Sequence, residues 1–202
     1  MMPLTLDTLA EAARWRPEET LTLVGTSRGD AIGPWGENLT RRFGPQAIAR
    51  VRARLPAPHA QIAAALTTKD ILPVHAQLCL TEAIIDELLG GDLRALAPLI
   101  TEDTRAGLGR LQVALLKTVG VHRAIAQGAR QFRTIYDRGT ADADTAKGRA
   151  RVVFRGHRLF AHPTWRALQL MATGTLLELA GSPGRVTGED LGQDSFATVA
   201  TW

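Results

Sequence analysis

The sequence predicts an α+β fold: a helical body over residues 1–138, then a small antiparallel sheet over 139–202 built as a hairpin, one helix packed on the sheet and two closing strands. Two observations predict it. Upstream of Gly139 apolar residues recur at helical spacing, and from Gly139 the period falls from 3.6 to 2. Glycine and proline also stand where elements have to stop: Pro17, Gly44-Pro45, Pro56, Gly90-Gly91, Gly120, Gly139, Gly181 and Pro183-Gly184.

Residues 6–15 have helical spacing, with Asp7 or Thr8 as cap and Pro17 as terminator. Leu21 to Val24 reads as a short strand, and residues 25–36, with four glycines and Pro34, as a loop. Residues 38–54 carry Leu39, Phe43, Ile48 and Val51 on a pattern broken at Gly44-Pro45, which predicts two short helices. A further helical segment is read at 59–66, and Asp70 caps a turn containing Pro73. Residues 74–89 form a strong amphipathic helix with Leu78, Ile84, Ile85 and Leu88 inward, ended by Gly90-Gly91. Asp92 caps residues 93–99, a helix begins at Thr101 and runs to Gly120, and another spans 121–136 with Ile125, Ala129, Phe132 and Tyr136 on its apolar face.

Residues 140–145 and 149–155 flank a turn at Ala146-Lys147-Gly148. In the second strand Ala150, Val152 and Phe154 face one way, and Arg149, Arg151, Val153 and Arg155 the other. Residues 164–180 form the last helix, with Trp165, Leu168, Met171, Leu176 and Leu179 on its inner side; 186–190 and 196–202 complete a four-stranded sheet.

At 202 residues the chain fits one domain, and 45% hydrophobic with 22% charged residues is a globular composition. No basic-then-apolar leader and no uninterrupted run of about 20 apolar residues occurs, so a soluble cytoplasmic protein is expected. Cys79, the only cysteine, rules out an intrachain disulfide and reads as a buried thiol. The net charge is +4, and all but three of the 24 basic residues are arginine. Acidic residues interleave with them and no aromatic platform accompanies them, which argues against nucleic acid.

Several blocks together resemble a myxobacterial domain-of-unknown-function family of about 200 residues. They are Arg42-Phe43-Gly44, Val51-Arg52-Ala53-Arg54-Leu55-Pro56, Leu80-Thr81-Glu82-Ala83-Ile84, Leu89-Gly90-Gly91-Asp92, Tyr136-Asp137-Arg138-Gly139, Gly148-Arg149-Ala150-Arg151-Val152, His162-Pro163 and Leu177-Glu178-Leu179-Ala180-Gly181. The order of elements is also similar to that of 4-vinyl-reductase-type ligand-sensing domains and, more distantly, of haem NO-binding-type and TRAPP-type trafficking folds. That resemblance implies a module holding an apolar or aromatic ligand, or a partner, against the sheet. The chain departs from it in lacking the haem-type Tyr-x-Ser-x-Arg motif and in offering only carboxylates over Val186-Thr187-Gly188-Glu189-Asp190, so no cofactor and no metal are expected.

His75, Cys79 and Glu82 lie at i, i+4 and i+7, the spacing of zinc ligands on one helix face, but that face also serves the core. His157, Arg158, His162, Trp165 and Arg166 form a polar and aromatic corner at the strand-to-helix connection, suited to an anion at a helix N-terminus. No Gly-x-Ser-x-Gly elbow, phosphate-binding Gly-Lys-Ser/Thr loop or His-Glu-x-x-His helix is present, so an enzyme is not expected. The first expectation is a non-enzymatic sensory or regulatory module for a small, partly apolar ligand, with His157, His162, Trp165, Arg166, Tyr136 and Phe132 as ligand-binding residues beside Phe154 and Phe160. The alternative is a homodimeric interaction module using the apolar face of 111–119. Both follow from analogy of fold.

Overall fold

The computed structural model describes residues 3–29, 35–56, 59 and 70–202, apart from the side chains of 106–112 and 115. Helix α1 (Leu6–Glu11) is capped by Thr5: its hydroxyl accepts from the Thr8 amide at 3.2 Å while the Thr8 hydroxyl accepts from the Thr5 amide at 2.8 Å. It ends four residues earlier than its spacing suggests, leaving Trp15 outside the helix. Pro17 does not merely terminate. It opens α2 (Pro17–Leu21), where its missing N–H costs nothing and the Glu19 carboxylate accepts from the Arg16 amide at 3.0 Å. Leu21 is therefore helical, and the strand expected over Leu21 to Val24 lies instead at β1 (Thr26–Arg28).

β1 pairs antiparallel with β2 (Ile71–Pro73), Ser27 opposite Leu72. Between them lie α3 (Trp35–Phe43) and α4 (Ala47–Arg54), the two short helices expected around Gly44-Pro45. Most of the glycine-rich stretch at 25–36 and nearly all of the helical segment at 59–66 lie outside the described residues. Helix α5 (Val74–Leu88) buries Leu78, Ile84 and Ile85 completely and closes with the Gly91 amide donating to the Ile85 carbonyl at 2.9 Å. After a 3-10 turn (Leu93–Leu96), α6 (Ala97–Val119) is one helix where the sequence suggests a break at Thr101. Pro98 sits in its first turn, and the Thr101 hydroxyl bonds to Thr175 instead of capping. Helix α7 (Val121–Ile135) follows Gly120. Of the 111–119 face suggested for a partner, Leu111, Gln112 and Leu115 lie outside the described side chains, and Val119 is exposed.

The sheet has the order β3-β4-β6-β5, antiparallel throughout, with β3 (Thr140–Ala146), β4 (Arg149–Arg155), β5 (Arg185–Asp190) and β6 (Ser195–Thr201). The β4–β6 register sets Phe154 opposite Phe196 and Ala150 opposite Ala200, so their inward side chains share one face. Val153, on the other face, is also buried, opposite Ala197. Helix α8 (Pro163–Leu179) packs across the sheet and against α1 and α6. Leu4 exchanges both backbone hydrogen bonds with Gly188, which lengthens the β5 edge by one bridge.

Candidate functional site

Between helices and sheet the described residues pack aromatic ring against aromatic ring. Phe132 stacks on Tyr136 with centroids 4.7 Å apart, Phe154 meets Trp165 edge-on at 4.9 Å, and Phe160 lies 4.9 Å from Trp165. With Phe196 these rings are all buried, and Trp165, Phe160 and Phe196 are wholly so. Four expected site residues therefore sit in or beside one cluster: Phe132, Tyr136 and Trp165 within it, and Arg166 alongside, its guanidinium 5.3 Å from the Phe196 ring.

The tyrosine and arginine of the cluster have specific partners. The Tyr136 hydroxyl donates to Gln77 Oε1 at 2.8 Å, and burial pushes its pKa up against the opposing pull of the Trp165 indole and Gln77. The indole N–H itself meets no acceptor at hydrogen-bonding geometry. Arg166 Nε donates to the Phe160 carbonyl at 2.6 Å and its Nη2 to Asp190 at 2.9 Å, so it joins the 3-10 turn (Arg158–Ala161) to the end of β5. It is a buried structural tie. The Asp190 carboxyl is held below the usual carboxylate range by Arg166 and the Gly192 amide, against the effect of burial.

His162 lies on the far side of α8's first turn. Its Nε2 is 3.1 Å from the Thr20 hydroxyl, Trp15 packs against the ring at 4.8 Å, and Nδ1 has no partner. Glu82 Oε1 accepts from Thr164 at 2.8 Å and is 3.8 Å from the imidazole, too long for a hydrogen bond. Burial pushes the His162 pKa down to about 3 and the Glu82 pKa up, so the pair is not an ion pair at neutral pH.

The zinc-like spacing of His75, Cys79 and Glu82 comes apart in space. His75 Nδ1 is 2.9 Å from His59 Nε2, and burial lowers both imidazole pKa values. Glu82 is engaged by Thr164, and burial pushes the Cys79 thiol up to about 11, which leaves it unreactive. Among the described residues no group of three potential ligands is assembled.

The sixth expected residue, His157, belongs to different surroundings. Its Nδ1 accepts from the Leu159 amide at 2.9 Å, so Nε2 carries the proton and donates to the Val24 carbonyl at 2.7 Å. It borders a cleft of about 380 Å³ lined by Thr22, Leu23, Val24, Arg138, Gly139, Gly156, His157 and Arg158. Three chain segments meet here: the α2–β1 connection, the turn into β3 and the turn out of β4. Gly139 and Gly156 both have φ +83, and a Cβ on Gly139 would stand 2.6 Å from the Phe160 ring, so the cleft floor lies directly on the aromatic cluster. The sequence signals the two turn glycines and the arginines. It carries no signal that Leu23 and Val24 lie opposite them.

No protein-family model matches the chain, and no characterised protein matches its sequence. Solved structures do match in shape. The unliganded Fe(II) H-NOX protein from K. algicida superposes with TM-score 0.61 at 9% identity, over 86% of this chain and 95% of that one. A single-site variant of it gives 0.55 at 13% identity, over 86% and 95%. A structure described as modulating haem redox potential through protein-induced porphyrin distortion gives 0.53 at 10% identity, over 87% and 99%.

A haem requires a porphyrin-sized slot and an axial ligand. Among the described residues the space between helices and sheet is filled by rings in contact, and His157 and His162 are both held by protein partners. These residues do not fit the group. The chain thus has the fold of the H-NOX proteins, closed around its own aromatic side chains.

Proposed function

We propose that the chain is a non-enzymatic sensory module for a small, partly apolar molecule other than haem, and that the molecule binds in the cleft beside His157. One observation carries the reading: the cleft lies where helical body and sheet meet, and the hydrogen bond from His157 to the Val24 carbonyl crosses it. Its volume of about 380 Å³ suits a small ligand. A molecule that binds better with this tie made than broken, or the reverse, shifts the balance between two arrangements of the body on the sheet. Behind the cleft floor Phe132 and Trp165 pack on Phe160, and Arg166 Nε bonds the Phe160 carbonyl, in the turn that follows His157.

The test is native mass spectrometry of the purified protein beside the same sample after denaturation. The expected result is a discrete extra mass lost on denaturation, or a melting temperature raised by members of a small-molecule library. A ligand-free spectrum with no member of the library moving the melting temperature overturns the reading.

A further inference from the structure

The geometry points to an anion-binding cleft: resting on the sensory reading above, the ligand carries a carboxylate or phosphate head held between Arg138 and Arg158, with its apolar body on the exposed Val24. Arg138 stands in the turn into β3 and Arg158 opens the 3-10 turn after β4, and both line the cleft. Several of the chain's arginines are matched with acids, Arg14 with Asp86, Arg50 with Glu87, Arg151 with Glu189 and Arg166 with Asp190, while others such as Arg123, Arg130 and Arg133 stand on exposed faces outside the cleft. Among the described residues neither cleft arginine has a carboxylate partner, and no acidic side chain lines the cleft. Asp137, the nearest acid in sequence, has its Oδ1 beside the Arg138 stem at Gly25, where it accepts from the Thr26 amide at 2.7 Å.

Both cations are braced. The Arg158 guanidinium lies over the Trp15 ring at 4.9 Å, and the Arg138 stem crosses Gly25 so closely that a Cβ there would stand 3.0 Å from its Cδ. Side chains held in this way lose less rotamer freedom on meeting a ligand. A planar guanidinium matches a carboxylate or phosphate in bidentate fashion. The floor supplies no competing donor from Gly156 or His157, because both amides already donate to the Asp194 carbonyl, at 3.0 and 3.3 Å. Recognition of the head thus falls to the two side chains. Val24, 61% exposed with its carbonyl held by His157, offers an apolar strip beside them, and that pairing of charge with an apolar edge selects an amphiphilic anion over a bare one.

The experiment is an amide NMR titration of the whole chain with phenyl phosphate, phenylacetate, inorganic phosphate and benzyl alcohol. The two aromatic acids are expected to give saturable shifts centred on Leu23, Val24, Gly139 and Gly156. Inorganic phosphate should bind at least tenfold more weakly and benzyl alcohol not at all. Arg138→Ala and Arg158→Ala are each expected to raise the Kd at least tenfold, and because both side chains are exposed neither should change the circular dichroism spectrum. Saturable shifts untouched by both substitutions, or no shift at the cleft with either acid, overturns the anion site. Cleft shifts with benzyl alcohol alone overturn the anionic class and leave the sensory reading standing.

Discussion

Acidification offers the sharpest check on the environment of His162. Its pKa falls from 6.5 to about 3 on folding, chiefly because the ring is buried. Position follows the same sign: the ring precedes Pro163 at the N-terminus of α8, where the helix dipole opposes a positive charge. A folded-state pKa below the unfolded one means that between the two values only the unfolded chain binds the extra proton. The stabilisation is complete above pH 6.5 and is lost as the pH falls towards 3. The loss approaches about 1.4 kcal/mol per pH unit within that window, roughly 2 to 3 kcal/mol by pH 4.5. His59 and His75, also lowered, add in the same direction. Glu82 acts oppositely: raised on folding, it contributes stability that is lost as the pH rises through its folded value. Comparing Glu82→Gln with Glu82→Gln/His162→Gln cancels these contributions, and urea denaturation at several pH values from 7 to 4 gives the difference. The single variant should lose stability faster than the double below pH 6.5, and the His162 ring protons should not titrate above pH 4. A His162 midpoint near 6.5, or parallel stability curves, would refute the argument.

Other consequences can be measured separately. Tyr136→Phe removes the buried hydroxyl's bond to Gln77 Oε1 and is expected to cost about 1 to 3 kcal/mol in chemical denaturation; a loss below about 0.5 kcal/mol would mean that the 2.8 Å bond contributes little. Trp165→Ala removes a fully buried ring touching Phe154 and Phe160 and should cost about 3 to 5 kcal/mol, and unchanged stability would contradict the packing described. Gly188→Ala drives a methyl to within 2.6 Å of the Phe196 ring and 3.2 Å of Leu4 Cβ, so a loss of about 1 to 3 kcal/mol is expected, read as a lowered urea midpoint. Hemin added to the purified protein should give no stoichiometric Soret band; a sharp one-to-one band abolished by substituting a single histidine would show that a porphyrin slot opens after all.

The last third of the chain is the part a reader of the sequence recovers best, because its signals are local. The alternation in Arg149–Arg155, the glycine at 148 with φ +72 in the hairpin turn, and the stop at Gly181 with φ +74 each act within a few residues. The strand β1 and the start of α6 differ from their local patterns for a common reason. The strand β1 is three residues long and its partner β2 lies beyond α3 and α4, so its existence rests on pairing across the fold and not on any pattern of its own. The merging of two expected helices into α6 likewise depends on Thr101 finding Thr175. For the site, His157 is conspicuous at a strand-to-helix connection, yet its function as a tie is set by a carbonyl 133 residues away. The separation of Glu82 from His75 is invisible from spacing alone, since i and i+7 share a helix face whichever neighbours that face meets.

The bridge between Leu4 and Gly188 bears on the order of assembly during synthesis. Both hydrogen bonds, at 2.8 and 2.7 Å, join residues from opposite ends of the described chain, as do those of Thr20 to His162 and Val24 to His157. At 5 to 20 residues per second, roughly 10 to 40 seconds separate the emergence of the first partner from that of the second. Throughout that interval Leu4, Thr20 and Val24 lack these partners, although α1 and α2 can already meet α5 and the turn at Leu93–Leu96. Closure of this seam therefore waits for the last strands, and the slow event there is closing a long loop around the helical body.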